Sequence, residues 1–213
     1  MHPSNRPRER SRASRLSSEE RREHLIKVAR NIVAEKGVPA VTMERVAEEG
    51  GVSRALVYLH FENAEQVLLA LLRQELRYHY EKVYEGMRKA RTDEELVRAA
   101  VLPYEEAMSE HGSVFRRLVL THLDNPELER KRNDYNKKAV DFWAERAHKT
   151  LGMEVEVARV AATIMVEAIS GIGKLSVSEK EFSKGFLTDV YVDLVLEGFR
   201  GLARQRSRRD SED

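Results

Sequence analysis

The sequence predicts an all-α fold in two regions: a small N-terminal helix-turn-helix head of three helices, then a longer helical body, with about nine helices in all. Three observations predict it. Helix-start signals recur along the chain, each followed by apolar residues at helical spacing. The stretch from Thr42 to Phe61 holds two short capped segments joined by Gly50 and Gly51. The last third carries two long segments with more apolar residues than one stripe requires.

Residues 1–16 are rich in Arg, Ser and Pro with almost no apolar content, which predicts a disordered basic arm. Ser17, Ser18, Glu19 and Glu20 form a capping box, and a helix follows to about Lys36 with Leu25, Ala29, Ile32 and Val33 on one face. Gly37 ends it. Thr42 and Ser53 are cap types for the next two helices, which turn at the glycine pair. Val46, Ala47, Val52, Val57 and Phe61 face inward, and Arg54, Tyr58 and His60 face outward. Such a pair can place its second helix in a DNA major groove. Residues 17–62 thus form the head and 63–206 the body, with 207–213 a frayed tail.

Within the body, Asn63 and Gln66 start a long helix to about Ala90. Thr92 and Glu95 start the next, which contains Pro103 and ends near Glu110; the proline should kink it. A short helix is expected from Ser113 to about Leu123, and Asn125-Pro126 opens another to about Leu151, before Gly152. The final two are expected over about Glu154 to Leu175 and from Ser178 to about Arg204. Both are apolar on more than one side. A small body cannot cover both, so Val160, Ile164, Phe186, Val190 and Leu194 are expected to pair with a second copy in a four-helix interface.

Composition bounds the function. At 41% hydrophobic and 34% charged, the 213 residues suit a globular protein with a charge-rich surface. The chain has no cysteine, which removes disulfides and thiolate chemistry and fits a cytoplasmic protein. No apolar run approaches a membrane span, and no secretory signal follows the basic N-terminus, so no membrane partner is expected. The net charge is +1, but residues 1–60 carry 12 Lys/Arg against 8 Glu. The excess lies in the arm. Beside a DNA-reading motif it suits phosphates or a minor groove; alone it reads as a solvated tail.

The run Thr42, Val46-Ala47, Gly51-Val52-Ser53 and Tyr58-Leu59-His60-Phe61, led by Gly37 to Val41, resembles the N-terminal signature of the TetR family of transcriptional regulators. The resemblance covers about the first third of the chain. It implies that Thr42, Tyr58 and His60 touch phosphates while Ser53, Arg54, Ala55 and Leu56 face the groove. Arg54 is the best base reader, since a guanidinium can meet guanine O6 and N7 together. Gly50, Leu56, Val57 and Ala64 depart from the usual pattern, and Ala64 replaces a common lysine. The resemblance also implies dimerisation through the last two helices and a first body helix that transmits a ligand signal.

In the body, Tyr104, Met108, Phe115, Leu118, Val119, His122, Phe142, Trp143, Arg146 and Met165 mix aromatics, methionines and a few polar groups, as small-molecule sites do. Each one singly reads as core. His111, His122 and His148 lack further ligands at metal spacing, so neither a metal nor another cofactor is expected. Gly171 to Lys174 lacks the full spacing and preceding strand of a phosphate loop. No acid–base pair or activated nucleophile holds together, so no enzyme is expected. The function expected is a homodimeric repressor that binds a palindromic DNA operator and is released by a small, largely apolar ligand. The alternatives are a ligand-independent or activating regulator, or a helical interaction module without DNA binding.

Overall fold

The computed structural model describes residues 17–109, 113–121, 126–177, 182–183 and 185–209. Among these residues there are nine α-helices and no strand: α1 (Ser18–Lys36), α2 (Met43–Glu49), α3 (Arg54–His60), α4 (Ala64–Lys89), α5 (Asp93–Ser109), α6 (Val114–Thr121), α7 (Pro126–Leu151), α8 (Val155–Val177) and α9 (Phe186–Arg209). The arm at 1–16, the helix-end and cap positions Glu110, Leu123, Asn125 and Ser178, the candidate His122 and residues 210–213 lie outside the described residues.

Local chemistry starts most of these helices. At α1 the Ser17 N–H donates to Glu20 Oε2 (2.6 Å) while the Glu20 N–H donates to Ser17 Oγ (3.1 Å), a complete capping box. Thr42, Ser53 and Asn63 each accept from the backbone N–H three residues on, at 3.1, 3.2 and 3.0 Å. Thr92 and Ser113 repeat the pattern for α5 and α6. A short 3-10 turn, Val38–Ala40, precedes α2 and has no counterpart in the sequence reading. Of the two glycines after α2, Gly51 alone has positive φ, at 63°. Helix α5 runs through Pro103 without ending.

Two cores form. The first joins Leu25, Ala29, Ile32 and Val33 of α1 with Val46, Val57 and Phe61, then with Val67, Leu71 and Leu72 of α4 and Val114 and Leu118 of α6. Burying each large aliphatic side chain here contributes about 1.5–3 kcal/mol. The head's packing therefore continues past residue 62 into α4 and α6. The second core gathers Val97 and Val101 of α5, Trp143 and Ala147 of α7, Ala158, Ala162 and Met165 of α8, and Tyr191 and Val192 of α9.

Helix α9 begins at Phe186, eight residues after the local capping box suggests, and Phe182 and Ser183 before it are not helical. Gly185 precedes it with φ 81°. Its start is held from afar. The buried Glu105 carboxylate of α5 accepts from the Thr188 N–H (2.8 Å) and from the Thr188 hydroxyl. An anion at a helix N-terminus also meets the positive end of the macrodipole. Arg98 of α5 pairs with Asp189 in the same turn. At the other end α9 continues to Arg209, three residues into the stretch expected to be a frayed tail.

Helix α8 is long and apolar enough to cross a membrane by length and composition, with a mean hydropathy of 1.5 over its most apolar window. This corrects the expectation that no run approaches such a span. Its buried side, including Ala158, Ala162, Met165 and Ile172, packs within the second core. Its opposite side carries further apolar residues, which is why the whole helix reads as apolar.

Glu105→Ala would leave the fully buried Thr188 N–H and hydroxyl without their acceptor. The stability expected to be lost is about 2–3 kcal/mol, read from the urea midpoint, while Glu105→Gln keeps an acceptor and loses less.

Candidate nucleic-acid interface and body sites

Helix α3 presents a narrow, open face. At about 100° per residue, Arg54, Tyr58, Ala55 and Leu59 fall on one arc, and Leu56, His60 and Val57 on the other side. Burial follows this order. Arg54, Ala55, Tyr58 and Leu59 are exposed, Leu56 and His60 are half-buried, and Val57 is fully buried. Leu59 is 76% exposed, an unusual position for a leucine on a well-packed head, and sequence reasoning misses it. The i, i+4 step from Ala55 is the available signal. The His60 Nε2 atom is shielded and without a hydrogen-bond partner, so only the rest of its ring can meet a phosphate.

The turn between the two helices is held from α1. His24 Nε2 lies 3.1 Å from the Gly50 carbonyl, and the Arg22 guanidinium sits 4.9 Å from the Phe61 ring centroid. Thr42 and Ser53 remain exposed while capping. Each hydroxyl spends a lone pair on the cap and keeps its O–H to donate to a phosphate oxygen. Arg54 Nη1 lies 3.5 Å from Glu44 Oε1 of α2, and both side chains are largely exposed. Residues 17–62 hold seven Lys/Arg and eight Glu, so the helical head has a formal net charge of −1 and the positive excess belongs to the arm.

Polar contacts as well as the first core join head and body among the described residues. Arg30 of α1 donates to the buried Glu75 of α4 (2.8 Å). Arg117 of α6 donates to the carbonyls of Val33 and Ala34 in the last turn of α1, and the Val33 carbonyl also accepts from the Gly37 N–H.

The nine described body residues among those singled out from the sequence do not form one site. Tyr104 of α5 and Phe115 of α6 gather around His79 of α4, and Met108 of α5 is buried. The His79 ring stacks on Phe115 at 5.1 Å and meets Tyr104 edge-on at 5.7 Å. Tyr80 of α4 stacks on Tyr135 of α7 at 3.8 Å, which extends the cluster. Tyr104 lies against Gly173 of α8 so closely that an added Cβ would fall 2.6 Å from its ring. That contact gives a packing role to the glycine-containing stretch 171–174, which is helical. Leu118 belongs to the first core, with Val119 packed against it.

Trp143, Arg146 and Met165 line a separate small cleft of about 50 Å³ with Val97, Leu196 and Phe199. Arg146 is paired across it with Asp93. Phe142 is 44% exposed and touches Trp143 edge-on. His79, Tyr80 and Tyr135 are members that sequence reasoning does not supply, although their spacing on long helices makes them visible as core. A larger open cleft of about 670 Å³ lies between α1 and α4, lined by charged residues including Lys27, Arg30 and Glu75. His148 Nδ1 meets the Met153 carbonyl at 2.7 Å.

All five residues expected at a dimer interface are exposed: Val160 (61%) and Ile164 (66%) on α8, and Phe186, Val190 and Leu194 on α9.

Comparison with known proteins places the head beside one family. The model of the tetR family of bacterial regulatory proteins matches residues 25–71, which span α1 to the first third of α4. The chain is 26% identical to the HTH-type transcriptional activator FasR of Mycolicibacterium smegmatis over 157 residues, 73% of this chain and 71% of that protein. It is 35% identical to the HTH-type transcriptional regulator BetI of Rhizobium meliloti over 81 residues, 38% of this chain and 40% of that protein. The fold matches a solved transcriptional regulator of Pseudomonas aeruginosa with TM-score 0.69 and 14% identity, covering 92% of this chain and 98% of that one. It also matches the fatty acid degradation regulator FadR of Bacillus halodurans, with TM-score 0.60 and 21% identity over 83% of this chain and 94% of that one. A third match is AibR in complex with isovaleryl coenzyme A and operator DNA, with TM-score 0.58 and 18% identity over 82% and 97%.

Residues 25–71 belong to the tetR family of bacterial regulatory proteins. The match falls on the head, which makes the open face of α3 the surface to test for DNA contact.

The buried His79 gives the body a pH-dependent stability. Burial, and then the charge of Lys82, push its pKa down to about 4. The unfolded chain takes up the proton near pH 6.5 and the folded chain only near 4. Stability is therefore complete above about pH 6.5 and falls as pH drops through that window, by at most about 3 kcal/mol from this group. His79→Phe should flatten that share of the acid slope in urea melts taken between about pH 7 and 4.5.

Proposed function

We propose that this chain binds a palindromic operator in the cytoplasm as a homodimer and represses transcription until a small, largely apolar ligand releases it. The observation that carries the dimer is the pair of apolar stripes on α8 and α9. Val160 and Ile164, and Val190 and Leu194, are spaced by one helical turn and are exposed. An exposed apolar stripe on each of two adjacent helices marks an interaction surface. A second copy related by a two-fold axis covers both at once, as a self-complementary interface requires.

Dimerisation sets the DNA geometry. Two recognition helices read two half-sites when about 34–36 Å apart, or a multiple of that. On each head Arg54 is the base reader, with Thr42, Ser53 and Tyr58 against the backbone and Ala55, Leu56 and His60 beside them. The basic arm supplies the general attraction to phosphates that a helical head of net charge −1 does not.

For the ligand, the aromatic cluster around His79, Tyr104 and Phe115 is the favoured position. It touches α4 and α6, the two body helices that share the head's core. A ligand there shifts the population of two arrangements by its differential affinity for them. An acyl-type occupant agrees with the apolar lining and with the fatty-acid and acyl-coenzyme A terms in the names of similar proteins. A second reading is activation: the relative from M. smegmatis bears that name. The small volume at Trp143 and Arg146 argues that an occupant there would have to open its own space.

A fluorescence anisotropy titration of a palindromic duplex from the chain's own promoter tests the reading. Binding should weaken steeply with salt, and absence of binding at low salt overturns it. A promoter reporter that rises on deletion supports repression, and one that falls supports activation. Arg54→Ala should cost about 1–3 kcal/mol and relax preference at one base position. Val190→Glu should sediment as a monomer and bind the duplex poorly.

A further inference from the structure

We propose that Glu44 is a specificity-determining residue of the DNA interface, acting with Arg54 as one reading unit. The inference rests on α3 being the DNA-reading helix. Glu44 stands in the first turn of α2, two residues after the Thr42 cap, and Arg54 is the first residue of α3. Their side chains meet across the helix-turn-helix, Nη1 to Oε1 at 3.5 Å, with Arg54 67% and Glu44 49% exposed. This places a carboxylate on the surface that must approach a polyanion.

A guanidinium has five donors in a rigid fork. With Nη1 turned toward Glu44, its other edge remains free for guanine O6 and N7. The carboxylate accepts only, and the base edge that suits it in the major groove is the cytosine N4 amino group. A step rich in G·C therefore satisfies both members together. On other sequences Arg54 stays on Glu44, and the carboxylate faces the DNA with no donor from a base edge. An exposed ion pair of this kind is weak in water, so it restrains Arg54 without trapping it.

The charge balance gives this filter its weight. With seven Lys/Arg against eight Glu, residues 17–62 offer little attraction to phosphates as such. One carboxylate beside the reader then counts for a large share of the local field. A residue serving only the N-terminal dipole of α2 would affect every DNA sequence equally.

The test uses the full-length protein and a randomised duplex library. Wild type is first used to enrich a sequence; affinities are then measured for that duplex and for a scrambled one of equal composition. Glu44→Gln should raise affinity for the scrambled duplex by about three- to tenfold and steepen its salt slope by about 0.9. The enriched duplex should change much less, so discrimination falls. Glu44→Asp keeps the charge but draws it back from Arg54, and should lower discrimination without changing the slope. In an Arg54→Ala background, Glu44→Gln should shift both duplexes alike. Thermal melting of each variant separates these effects from loss of the fold. Equal factors on both duplexes for Glu44→Gln, or wild-type discrimination in Glu44→Asp, overturn the proposal. A wild-type protein that enriches no sequence overturns the DNA-reading assignment itself, and this inference with it.

Discussion

The structure depends on one shared burial. Val67, Leu71 and Leu72 of α4 lie in the same apolar core as Leu25, Ile32 and Val33 of α1. The head cannot bury its own apolar face with three short helices, since α2 and α3 have seven residues each. It borrows the first turns of a 26-residue helix that then runs on into the body. At about 1.5 Å per residue that helix is about 39 Å long, so it is a single stiff connection between DNA-facing and body surfaces. Glu75, held by Arg30, and Leu76, packed against the shared core, stand at its far end, and His79 opens the aromatic cluster about a helical turn later.

Helix α6 makes the second connection. Phe115 faces His79 and Tyr104, while Leu118 enters the head's core and Arg117 holds the last carbonyls of α1. Contacts along this short helix thus run from the body's aromatic cluster to the end of the head's longest helix. In the proposed regulator, a ligand that displaces Phe115 acts on α1 through neighbouring side chains on the same rigid element. On the far side, α9 is set by Glu105 and Arg98 of α5. The face assigned to dimerisation is therefore registered to the same helix that carries Tyr104.

Much of the fold is legible because local rules govern helix starts and stops. Ser17, Thr42, Ser53, Asn63 and Thr92 cap as their residue types predict, and Gly37 and Gly152 take the positive φ that ends a helix. The start of α9 is misplaced by sequence reasoning because its anion comes from Glu105, 83 residues away, and no local pattern encodes that. Likewise Leu59 is missed although its i, i+4 step from Ala55 places it outward with Arg54 and Tyr58, since an apolar residue reads as inward by type. The body candidates rest on composition, which cannot say that Trp143 and Tyr104 line different places. The pairing of Glu44 with Arg54 depends on how two helices cross, and spacing along the chain does not contain it.

The contact between Arg117 and the carbonyls of α1 bears on what a module is in this protein. By sequence the DNA-binding unit looks detachable at the loop before α4. By packing it is discontinuous: α1 to α3, the first turns of α4, and then α6, which begins at Val114. Recombination between relatives that cuts at the loop would pair a head with a foreign α4 and α6 whose side chains never fitted it. Exchange of operator preference in this lineage is therefore easier by substitution on the open face of α3 than by domain shuffling.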